Sequence, residues 1–205
     1  EDAAESIGSL YKGSHTGTFG MLGVFSFNGN KTITCGSGGA ILTNNKSIAQ
    51  KARHLISTAK IAHPYKYIHD QVGFNYRMSN LNAALGYSQI KKIGKILKKK
   101  RKLFYFYNKI FKGNTYFKLI NEPKKSKSNF WLQTILINEK YSNYVQKIIE
   151  DLNEQKIYVR PGWELMTNLN YFKNCPKMDI SIAEKICRRI INIPSSSFLI
   201  SNTKN

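Results

Sequence analysis

The chain has 205 residues, 41% hydrophobic and 12% aromatic, enough for one large domain or two modest ones with a real core. No apolar run approaches the roughly 18 residues that a membrane span needs, and Cys35, Cys175 and Cys187 form no CxxC pair and sit apart from the histidines, which argues against a zinc site and a disulfide framework. The formal net charge of +20 invites a polyanion partner, yet only six of the 32 basic residues are arginine and the lysines run throughout the chain, a pattern that disfavours specific nucleic-acid readout.

At the N-terminus, EDAAESIGSL is acidic, lacks the charged-then-apolar order of a secretion signal and reads as the end of a strand. The chain therefore reads as a fragment, and reduced thiols place it in a cytoplasm. Val24–Phe27 reads as a short buried strand and Ala40–Thr43 as another, joined by the glycine turn CGSGG. Asn44 or Asn45 is expected to cap a helix from about Ser47, with Ile48, Ala52 and Leu55 on one face. Residues 57–72 show no clean period and contain Pro64, the mark of a long loop.

A second helix is expected from Ser79, its apolar face continuing from Leu81 to Phe111 and the lysines of KKIGKILKKKRK on the solvated face. Composition breaks fall at residues 112–114 and 123–128. Beyond them come a strand over 130–137, a helix over 141–155, a short strand over 156–161 and a helix near 181–191, a βαβ arrangement with a final helix. This divides the chain into residues 1–112 and a smaller α/β domain over 113–205.

Singly, each motif is weak: glycine clusters mark turns, and a loop lysine is usually solvated. Their order is more specific. EDAA at a strand end, then FSFNGNK, then the glycine turn, then GFNYRMSNLNAALG resembles the DegT/DnrJ/StrS family of sugar aminotransferases, over nearly the whole chain. The resemblance implies an α/β chain of fold type I, the aspartate-aminotransferase architecture, holding the C-terminal part of a large domain and a smaller domain, with pyridoxal phosphate as cofactor.

Each implied role has a chemical reason. The cofactor is an electron sink only while its ring nitrogen stays protonated, so a carboxylate must face it; the resemblance gives this to Asp2, with Glu5 near the ring's 3-oxygen. The cofactor aldehyde needs an amine that can then carry a proton, and that is Lys31. Ser26 matches the hydroxyl that holds the phosphate. Asn75 and Arg77 of GFNYRM are implied to reach the phosphate of a neighbouring subunit, which makes a homodimer with shared sites. Arg160 and Trp163 of RPGWELM are implied substrate contacts.

The implied reaction moves an amino group from glutamate to C4 of a nucleotide-linked 4-keto-6-deoxy sugar. Amination at C3 and a basic polyanion-binding module without catalysis are the alternatives. A non-catalytic relative is disfavoured, because a scaffold has no need of Asp2, Ser26 and Lys31 together. Metal ligands and a membrane partner are not expected.

Overall fold

The computed structural model of the chain describes residues 1–200. In chain order these form β1 (Leu10–Tyr11), β2 (Ser14–His15), β3 (Gly23–Ser26), β4 (Gly39–Leu42), α1 (Lys46–Ile56), β5 (Lys60–Ile61), β6 (Ile68–His69), α2 (Asn80–Ile90) and α3 (Ile93–Ile110). There follow β7 (Phe117–Leu119), β8 (Ser126–Lys127), β9 (Gln133–Ile137), α4 (Val145–Glu154), β10 (Arg160–Pro161), α5 (Ser181–Cys187) and β11 (Ile190–Ile193). Two compact units result: residues 1–96 with 123–129, and residues 97–122 with those from 130 onward.

In the first unit, β3 pairs antiparallel with β4, and on its other side Asp2 forms a parallel bridge to Val24. A second small sheet has the order β2-β1-β8, so residues 126–127 return to pair with Leu10 and Tyr11. Asn45 caps α1, its side chain accepting from the Ile48 N–H at 3.1 Å, and Ser79 caps α2 by accepting from the Asn82 N–H. Both caps match the sequence reading. The stretch read as a loop over 57–72 is instead a hairpin, β5 with β6, anchored where His54 Nε2 meets Asp70 Oδ1 at 2.7 Å. β3 is also less buried than its apolar residues suggest, with Val24 38% exposed.

The second unit is an antiparallel sheet in the order β10-β11-β9-β7. Alternate residues of β9 (Gln133, Ile135, Ile137) are buried, and its apolar face packs with Val145, Val159, Ile191 and Ile193 against Ile148 and Leu152 of α4. β11 corrects the sequence reading, which ran the last helix on to Ile191. The helix stops at Cys187, and Ile190–Ile193 pairs with Gln133–Leu136 of β9, because isoleucines at alternate positions bury best on a pleated surface. β9 and β10 each run antiparallel to β11, so the βαβ unit through α4 is split by a strand from the chain's end.

The long helix expected from Ser79 is two helices separated by a turn at residues 91–92. They differ in burial: α2 has no buried residue, whereas α3 buries Leu103, Phe104 and Lys100. Lys100 is a second correction, since it lies among lysines read as solvated.

Candidate active site

Strand pairing assembles the site. Ala3 N–H donates to the Val24 carbonyl and Val24 N–H to the Glu1 carbonyl, both at 3.1 Å, while Ser26 N–H reaches the Ala4 carbonyl at 3.4 Å. Ala3 is 2% exposed. Asp2 is thereby placed beside β3, two positions from Ser26. One Asp2 oxygen accepts from the Ala4 N–H at 3.1 Å, and the Ser26 hydroxyl accepts from the Asn28 N–H at 3.3 Å.

After β3 the chain loops out through Lys31 and returns to the core at Ile33 and Cys35, which are 3% and 0% exposed. Cys35 N–H donates to the Phe27 carbonyl at 3.0 Å, closing the loop. Lys31 leaves this loop with its side chain only 12% exposed, and its Nζ meets Glu5 Oε1 at 2.8 Å. The glycines that follow serve backbone packing: a Cβ on Gly39 would lie 2.5 Å from the Phe25 carbonyl oxygen, and Gly38, at φ +128°, packs on Met78 and Cys35.

One residue that sequence reasoning passed over holds these pieces together. Asn129 is 5% exposed. Its Nδ2 donates to the Glu5 carbonyl at 2.8 Å, to the Ile7 carbonyl at 3.1 Å and to Thr32 Oγ1 at 3.4 Å. The segment bearing Glu5 and the loop bearing Lys31 are thus clamped from a position 124 residues beyond Glu5 and 97 beyond Thr32. Its only sequence signal is an asparagine at the edge of a polar tract, which is no signal at all.

Asn75 and Arg77 stand elsewhere in the same unit. Asn75 bridges antiparallel to Ser57, and the flanking Phe74 and Tyr76 N–H groups donate to the Leu55 and Ile56 carbonyls at the end of α1. Arg77 lines a hollow of about 890 Å³ with Val24, Ile41, Arg53 and Ser79. In the second unit, Arg160 is exposed on β10 opposite Asn192, and Trp163 stacks on Trp131 with ring centroids 5.8 Å apart.

Within the first unit, strand pairing sets Asp2 beside the strand that bears Ser26, and Lys31 of the following loop is paired with Glu5. A carboxylate for a protonated ring nitrogen, a sheltered amine for an aldehyde and a hydroxyl for a phosphate form the donor set that pyridoxal phosphate requires. The residues present fit that group.

Comparison with known proteins agrees. The profile of the DegT/DnrJ/EryC1/StrS aminotransferase family matches residues 1–204. GDP-perosamine synthase of Escherichia coli O157:H7 is 35% identical over 95% of this chain and 52% of its own length. UDP-4-amino-4,6-dideoxy-N-acetyl-beta-L-altrosamine transaminase of Campylobacter jejuni (strain 81-176) is 30% identical over 97% of this chain and 56% of its own. Among solved structures, Helicobacter pylori PseC, an aminotransferase involved in the biosynthesis of pseudoaminic acid, superposes with a TM-score of 0.91 at 27% identity, over 97% of this chain and 54% of that one. The chain spans about half the length of the curated relatives it matches. Over that half it has the fold of the pyridoxal phosphate-dependent sugar aminotransferases, and it belongs to the DegT/DnrJ/EryC1/StrS aminotransferase family.

Proposed function

We propose that the protein carrying this chain transfers an amino group from glutamate to C4 of a nucleotide-linked 4-keto-6-deoxy sugar, with Lys31 as its catalytic amine. The observation that carries the reading is the Lys31 side chain, only 12% exposed with Nζ 2.8 Å from Glu5, in the loop that follows the strand bearing Ser26, beside which Asp2 pairs. The names of two relatives, a GDP-perosamine synthase and a UDP-4-amino-sugar transaminase, support a nucleotide sugar and, for the second, carbon 4.

Each side chain has a task that its chemistry allows. Asp2 holds the ring nitrogen of pyridoxal phosphate, Ser26 its phosphate, and Glu5 orients the Lys31 amine. Bound pyridoxal phosphate supplies the electron sink that lets a carbon next to nitrogen lose a proton. Lys31 Nζ takes that proton from the amino donor's carbon and later delivers one to the sugar carbon. Asn75 and Arg77 serve the site of a second copy of the chain. Exposed apolar side chains on and just before α2 support that dimer: Tyr76, Leu85 and Tyr87 are exposed, and Leu81 is 86% exposed.

The test is product analysis on the intact protein with pyridoxal phosphate, glutamate and UDP- or GDP-linked 4-keto-6-deoxy sugar. A 4-amino sugar is expected, and Lys31→Ala should slow its formation by at least about 10²–10⁴-fold. Amination of a 3-keto substrate alone would move the reaction to C3, and amination of neither would overturn the reading.

A further inference from the structure

The longest helix, α3, has an outer face that the chemistry above does not use. Between Asp70 and Glu122 the sequence holds twelve basic residues and no acidic one, although 12 acidic residues are spread over the rest of the chain. A general preference for lysine adds cations throughout a chain, but it does not clear so long a stretch of carboxylates.

Two of these cations are committed inside the fold. Lys100 is 6% exposed, its ammonium donating to the carbonyls of Ser195 at 2.9 Å, Trp131 at 3.0 Å and Phe130 at 3.5 Å. Arg101 donates to both Glu122 oxygens, at 2.9 and 3.0 Å.

The second-unit part of α3 presents the others outward. At 3.6 residues per turn, Lys98, Lys102, Phe106, Lys109 and Ile110 share one arc of about 120°, and the buried Lys100, Leu103 and Phe104 lie outside it. Lys98, Lys102 and Lys109 are exposed and form no ion pair among the described residues. Phe106 and Ile110 are 51% and 56% exposed. They interleave with the lysines: Phe106 stands one turn beyond Lys102, and Ile110 one turn beyond Phe106, next to Lys109.

Those two apolar side chains select among anionic partners. A lysine stripe alone suits any polyanion, and a nucleic acid would set Phe106 and Ile110 against phosphates or leave them in water. The surface of an anionic bilayer takes both kinds of group at once. Ammonium heads meet lipid phosphates while apolar side chains enter the edge of the acyl region.

We propose that this face of α3 docks the protein on anionic lipid, with the helix lying along the surface rather than crossing it. The sequence reading set these lysines on a solvated face and expected no membrane partner; the apolar residues that share their arc are the reason to depart from it. Docking of this kind does not depend on the aminotransferase chemistry.

The test sediments the intact protein with vesicles of phosphatidylcholine alone and of equal parts phosphatidylcholine and phosphatidylglycerol. Binding to the mixed vesicles and not to the neutral ones is expected, and it should weaken as salt rises. Each lysine close to an anionic surface contributes about fivefold, so Lys98→Gln with Lys102→Gln should weaken binding at least about tenfold. The same loss of charge on the β5–β6 hairpin, Lys60→Gln with Lys66→Gln, should change it far less, because the attraction is confined to charges near the surface. Phe106→Ser should weaken vesicle binding and leave binding to heparin as in the parent. Should Phe106→Ser lose the parent's far-ultraviolet circular dichroism, Ile110→Ser carries the same expectation. No sedimentation with the mixed vesicles, an equal loss in the hairpin variant, or vesicle binding untouched by removal of the apolar side chain would each overturn the proposal, the last by reducing the face to a general polyanion surface.

Discussion

Lys31 and Lys100 are two sheltered lysines with opposite solutions to burial. Lys31 meets a carboxylate that is itself 54% exposed, so the pair sits near the surface limit, where an ion pair contributes about 0–1 kcal/mol. Its value is orientation. Lys100 meets only carbonyls, and burial pushes its pKa down from 10.5 to about 8 while the carbonyls favour the cation. A folded pKa below the unfolded one means that the unfolded chain binds more protons between about pH 8 and 10.5, so stability rises with pH across that window. Below it both states are protonated and the folded state carries the full cost, of order 3 kcal/mol. Urea unfolding of the parent against Lys100→Met over this range should show the parent gaining on the variant as pH rises. A flat or falling difference would contradict the burial of the cation.

At the scale of elements, the helix starts were legible because caps are local. Asn45 and Ser79 each satisfy an N–H three residues on, and both are visible in the sequence. β11 was not legible. Four residues beside a helix have no period to read, and what makes Ile190–Ile193 a strand is β9, more than fifty residues earlier. Lys100 was illegible for the same reason: its acceptors lie at residues 130, 131 and 195. The catalytic loop was readable at Lys31, where cofactor chemistry dictates residue types in order, but its support at Asn129 was not. Removing that support in Asn129→Ala strands the buried Ile7 carbonyl and the part-buried Glu5 carbonyl and should cost about 2–3 kcal/mol, read as a lower urea midpoint. An unchanged midpoint would show that the loop holds itself.

For the molecule as a whole, the charge of +20 is the loudest feature of the sequence and explains the least about its chemistry. It sets solubility and long-range attraction for anions, and a nucleotide sugar is one such anion. No helix among the described residues is long and apolar enough to cross a membrane. In the function proposed above, one amine out of 26 lysines does the chemistry, the one whose side chain is sheltered and paired with Glu5. The most direct measurement of that selection is borohydride reduction of the intact protein loaded with pyridoxal phosphate, followed by peptide mass mapping. The expected result is the phosphopyridoxyl mass on the peptide containing Lys31, absent from Lys31→Ala. Label on other lysines with the Lys31 peptide unmodified, or no label at all, would contradict the account.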